Sequence, residues 1–225
     1  MTAWFIILLQ IPTNDADFAL KSARVINQVD SLHWVFTLEV EGVAGGTTPT
    51  PRGTLDQAPV LAYVFITNLS PMTVGFDKAE GLLALAITSH PDFDDTPLWD
   101  ENQDGDHGND GVIYHTHWVV LQKDDRVPGG FSVQATASKD LNAVLPPTNP
   151  GMPMYMDSPG FQVGMKAGQL RVWVPHGRLN HASSFNYDVV TAYLQVSTSG
   201  TGPMLGVHKV FSILSNDLSL PFESE

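Results

Sequence analysis

Apolar and polar residues alternate along most of this chain, and that alternation narrows its possible folds more than any other feature. In "DSLHWVFTLEVEG", Leu32, Trp34, Phe36, Leu38 and Val40 share one face, while His33, Val35, Thr37 and Glu39 share the other. Period two is the mark of a strand. The preceding "FALKSARVINQVD" is expected to pair with it as a hairpin that turns within residues 27–30. "VLAYVFITNL" and "GLLALAIT" are nearly unbroken apolar runs, so they read as central strands covered on both faces. "GVIYHTHWVVL", "GFSVQATAS", "FQVGMKAG", "LRVWVPH", "VVTAYLQVS" and "GVHKVFSIL" continue the pattern. Residues 78–86 alone have some helical character, and Gly81 weakens it.

Two segments interrupt the rhythm. Residues 42–59 form a long polar stretch expected to lie outside the core. Residues 145–160 are rich in proline and methionine and are expected to cross between sheets. There is no repeat of fixed period and no break in composition. The expectation is therefore an all-β chain, one domain over residues 1–225, built as a β-sandwich or jelly-roll with long loops.

Charge limits the partners. Eleven Lys and Arg stand against 24 Asp and Glu, for a formal net charge of -13. Nucleic acid demands basic stripes, and an anionic membrane surface demands basic clusters, so both are disfavoured. Cations are favoured. Cysteine is absent, which leaves oxygen and imidazole nitrogen as metal donors and points to calcium on one side and copper or zinc on the other. Residues 3–9 are apolar but too short to span a bilayer, and they read as a first strand or a shortened export signal. No other segment reads as a membrane span. An acidic, turn-rich, thiol-free chain is expected in a secreted, periplasmic or cell-surface setting.

Between Asp92 and Asp110 lie eight acidic residues and no basic one. Bare, they would repel one another. Within "DENQDGDHGNDG", Asp100, Asn102 and Asp104 alternate and Gly105 follows, which is the opening of a calcium loop: oxygens at positions one, three and five, then a glycine for the bend. Asp106 and Asp110 are further candidates. This short stretch resembles an EF-hand loop, but Gly111 stands where a bidentate glutamate belongs, and the flanking segments are not helical in pattern. The expectation is a structural calcium loop in a β protein, against the plainer reading of a solvated Asp/Asn/Gly turn.

Directly after this loop, His115 and His117 project to the same face of a strand, about 7 Å apart along it. Two imidazoles so placed can grip one zinc or copper ion. His90 and His176 are candidates for a third ligand, with His181, Asp92 and Asp94 as alternatives. The plainer reading makes both histidines core residues bonded to backbone, since Ile113, Val119 and Leu121 share their face. Trp118 adjoins the pair but points the other way. His107, His33 and His208 are weaker candidates. These ingredients resemble the surface copper-binding proteins of methane-oxidising bacteria, in which two histidines and an oxidised tryptophan hold copper(I) and calcium binds elsewhere on a β-rich fold. The likeness is of ingredients and assigns no residue. Met152, Met154 and Met156 alternate as soft thioethers can around copper(I), though adaptable packing explains them as well.

No nucleophile elbow, phosphate loop or H-E-x-x-H is present. A cupin-type oxygenase would want a glutamate where Gln122 stands. Three functions remain open: an exported, calcium-stabilised protein that binds copper or zinc through histidines, a metal-dependent enzyme on a jelly-roll scaffold, and a calcium-stabilised surface or adhesion module without a transition metal.

Overall fold

The computed structural model describes residues 14–50, 55–77, 79–90, 113–136, 145–198 and 200–225. The all-β expectation holds. Strands β1 (Leu20–Gln28) and β2 (His33–Val40) form the anticipated hairpin, closed by a 3₁₀ turn over Val29–Ser31. They join β8 (Gln162–Lys166) and β9 (Gln169–Pro175) in a four-stranded sheet ordered β1-β2-β9-β8. The C-terminal residue continues the outer side of β1: Asn27 N donates to Glu225 O at 2.6 Å, and Glu225 N donates to Val25 O at 2.9 Å.

The second sheet closes on itself. Its members are β3 (Pro59–Thr67), β4 (Leu82–Ser89), β5 (His115–Lys123), β6 (Phe131–Val133), β10 (Asn186–Val196) and β11 (Leu205–Ile213). They run β3-β4-β5-β6-β11-β10, and β10 pairs back to β3. The two-residue strands β7 (Met156–Asp157) and β12 (Phe222–Glu223) attach to β5 and β10. Two open sheets were anticipated, whereas the larger one is a closed barrel with the smaller sheet packed on its flank. Closure rests on small devices. The β10–β11 ladder shifts register twice, and such irregularities add local twist. The β5–β6 turn seats on β11 through Gly129, whose N–H donates to Val207 O at 2.9 Å; a Cβ there would stand 2.7 Å from that oxygen.

Alternation sorts the side chains into two cores. Outside the barrel, Phe65, Leu85, Ile87, Trp118 and Val120 meet Trp34, Phe36, Leu38 and Val172 of the small sheet. Phe36 sits edge-on to Phe65 at 5.3 Å between ring centroids. Truncating a buried aromatic such as Phe36 to alanine costs about 3–5 kcal/mol. Inside the barrel lies a second cluster that includes Val60, Val64, Val119, Met154 and Val190. All nine residues of β3 are buried, as a strand covered on both faces must be.

Residues 145–160 do cross from the barrel to the small sheet, and contribute β7 on the way. Residues 42–59 depart from expectation. Ala44 and Thr47 are buried, tied down by the Asp17 carboxylate, which accepts from Val43 N and from Thr47 Oγ1, each at 2.8 Å. Polarity hid this anchoring, because its acceptor is a distant carboxylate. The Tyr63 hydroxyl donates to Asp17 O at 2.9 Å, and burial pushes its pKa up to about 12. Residues 3–9 lie outside the described residues. Among those described, no helix is long and apolar enough to cross a membrane.

At the β5–β6 turn, Asp124 is buried and accepts from Arg126 Nε and a terminal guanidinium nitrogen, each at 2.7 Å, and from Ser132 Oγ at 2.8 Å. Those donors, the Arg126 guanidinium first, hold its carboxyl well below the usual carboxylate range. The stabilisation is therefore complete above the unfolded value of about 3.9 and drains away as pH falls through the folded one. Asp124→Asn should cost about 1–3 kcal/mol at neutral pH. The gap between variant and wild type should narrow steadily in acid, as read by denaturant melts across pH.

Candidate metal centre

Antiparallel pairing of β4 with β5 sets Ala86 opposite His117 and Thr88 opposite His115. His90 follows two residues after Thr88, so the period of the strand keeps it on the same, inward face. The three histidines meet there, each at most 4 % exposed. One nitrogen from each lies within 4.8 Å of the others. Ring centroids are 4.8 Å apart for His90 and His115, and 4.7 Å for His115 and His117.

Hydrogen bonds set how the rings stand. His115 Nδ1 lies 2.8 Å from Ile113 O, and only a protonated nitrogen can bond a carbonyl, so Nε2 carries the lone pair. His90 Nε2 lies 3.1 Å from that Nε2; with no ion present His90 must be the donor. His117 Nδ1 meets Ser158 Oγ at 2.9 Å, which leaves Nε2 as the nitrogen it offers to an ion. A carbonyl or hydroxyl behind a ring is the support that metal-ligating histidines characteristically have.

The donor set could hold one metal ion. Imidazole nitrogens at about 2.0–2.1 Å from a tetrahedral ion stand about 3.4 Å from one another. The His90–His115 separation is already close to this, and the widest separation in the group needs to close by at most about 1.4 Å from its 4.8 Å limit. Below the rings the barrel holds a cavity of about 80 Å³ that His90, His117 and Thr88 line together with Ala62, Ala86 and Ala192. Among the described residues, no Lys, Arg, Asp or Glu lines it.

Of the residues singled out in the sequence, His115, His117 and His90 come together. His176 does not join them. It begins the 3₁₀ turn His176–Leu179 after β9 and packs edge-on to Trp34 at 6.1 Å. His181 is exposed, His33 sits half-buried at the start of β2, and His208 lies half-buried on β11 with its pKa lowered by burial. Trp118 faces the opposite core, as expected. Met154 and Met156 pack in the barrel interior and line the same cavity as the imidazoles. Asp92, Asp94, Asp100, Asn102, Asp104, Asp106, His107 and Asp110 lie outside the described residues. Two neighbours had not been singled out. Thr88 was findable, two residues before His90 on an alternating strand. Ser158 was not, because its place depends on a two-residue strand pairing at long range.

Compared with protein-family models, curated proteins and solved structures, the chain matches none of them.

In metal-free protein at neutral pH, nitrogen-15 NMR should find His115 as the Nδ1–H tautomer and His90 protonated on Nε2. An Nε2–H signal for His115 would contradict this bonding pattern.

Proposed function

We propose that this chain is a binding protein for a single copper or zinc ion, held by His90, His115 and His117. One observation carries the reading: three buried imidazoles converge within reach of one ion, and two of them are turned by hydrogen bonds through Nδ1. Burying one histidine needs only a partner or two. Three together, with one nitrogen of each within 4.8 Å of the others, is the arrangement that a shared ion would use.

A second reading, a metal-dependent enzyme, draws support from the cavity beside the rings, because three protein ligands with a fourth position left for water or substrate is the arrangement of catalytic zinc. The acidic loop adds, on its sequence alone, a structural calcium ion at Asp100, Asn102 and Asp104, with Asp106 and Asp110 as further donors. Calcium, the acidic composition and the lack of cysteine together suit a secreted, periplasmic or cell-surface protein.

Metal analysis of tag-free protein reloaded with zinc or copper should return one ion per chain. The paired substitution His115→Ala and His117→Ala should abolish it, and Ser158→Ala should weaken binding about 10- to 100-fold with the fold intact. Unchanged stoichiometry in the double variant would overturn the assignment.

Calcium is tested separately. Chelation should lower the melting temperature of the wild type, and a variant lacking both Asp100 and Asp104 should melt lower and no longer respond. An unaltered wild-type melting curve after chelation would remove calcium from the account.

A further inference from the structure

The barrel interior shows which molecule can share the metal. Most small barrels fill their interior with side chains. Here Ala62 pairs with both Thr88 and Ala192 across neighbouring strands, and Ala86 stands opposite His117. All three alanines line the space, and their small side chains account for the cavity of about 80 Å³. A dry cavity of about 150 Å³ is enough for benzene, and a water molecule takes about 30 Å³ of liquid volume. By that scale this chamber accepts roughly three non-hydrogen atoms.

Its walls are not uniform. Away from the imidazoles they are aliphatic, from Val60, Val64, Val119 and Val190, with the thioethers of Met154 and Met156. Beside the imidazoles is Thr88, 6 % exposed, whose Oγ1 is buried and has no hydrogen-bond partner among the described residues. A buried hydroxyl without a partner costs about 1–3 kcal/mol. It pairs with His115 across the ladder and lines the same cavity as His90 and His117. The chamber thus has a polar end with the candidate metal site and an unused hydroxyl, and an apolar end where the described residues offer no charge to answer a charged group.

We infer that the metal's open position faces into the barrel and takes a short aliphatic ligand: a donor atom on the ion, a hydrogen bond from Thr88 to that atom, and an uncharged tail of two or so carbons among Ala62, Ala192 and the valines. The inference rests on the metal reading above and adds the class of molecule that completes the site. A ligand with the same donor atom but an ionised tail is rejected, because burying an unpaired carboxylate in this chamber carries a large desolvation cost.

The probe is ethanethiol, whose three non-hydrogen atoms match the chamber. It binds as thiolate, with the S–H proton passing to buffer. The chain loaded with cobalt(II) reports on it through its visible absorption and a sulfur-to-cobalt charge-transfer band. Ala192→Leu, which fills the chamber away from the rings, should weaken ethanethiol about tenfold while cobalt affinity stays unchanged. Ala192→Val serves as a milder form should the leucine not fold. Thr88→Val should weaken ethanethiol without loss of cobalt. Unchanged ethanethiol affinity in both Ala192→Leu and Thr88→Val, each folded and holding cobalt, would overturn the inference and leave the metal reading standing. Absence of cobalt bands altogether would defeat the metal reading itself, and the inference with it.

Discussion

The pairing of β4 with β5 is the constraint on which everything else in this molecule depends. Its register decides that Thr88 faces His115 and Ala86 faces His117. Moving it by one residue would send the imidazoles into the aromatic layer and Trp118 into the barrel, because successive side chains alternate between faces. The hydrophobic pattern of both strands guards against this. On one side Leu83, Leu85, Ile87, Trp118 and Val120 have a complete set of partners in the small sheet, and their burial outweighs any competing alignment.

The same pairing makes one wall serve two purposes. Its outer face is packed with large rings, so the wall is rigid. Its inner face carries alanines and imidazoles, so it is roomy and polar at one place only. Three imidazoles in a dry setting would be unfavourable without partners. Ile113, Ser158 and the rings themselves supply these, and in doing so aim the nitrogens. Stiffness behind the site and space in front of it come from a single alternation of large and small residues.

Much of this was legible in the residues, for stated reasons. Period two gave the strands, the hairpin of β1 with β2, and the shared face of His115 and His117. It also made His90 a candidate. Choosing His90 over His176 needed the register between β4 and β5, which no local pattern carries. The closed barrel was not legible either. The seam between β6 and β11 is a single residue pair, Gly206 with Ser132, held by a glycine turn and a shifted ladder rather than by a hydrophobic run. Ser158 escaped notice because β7 is two residues long and meets β5 far along the chain. The burial of Ala44 and Thr47 was hidden in a stretch whose composition reads as solvent-facing.

The two sheets also differ in how they end. A barrel closed on itself offers fewer open rows of amides to another chain. The small sheet does have margins. Along β1 the backbone of Glu225 occupies part of the row. Along β8 the sheet order stops among the described residues, and there the strand is five residues long, holds Gly164 and finishes in Lys166. Shortness and a terminal cation are the features by which natural sheets discourage recruitment of stray strands. Recruitment of stray strands is thus discouraged at β8, and in the layer that holds the histidines it is limited by closure, with the thin β6–β11 seam as its weakest place.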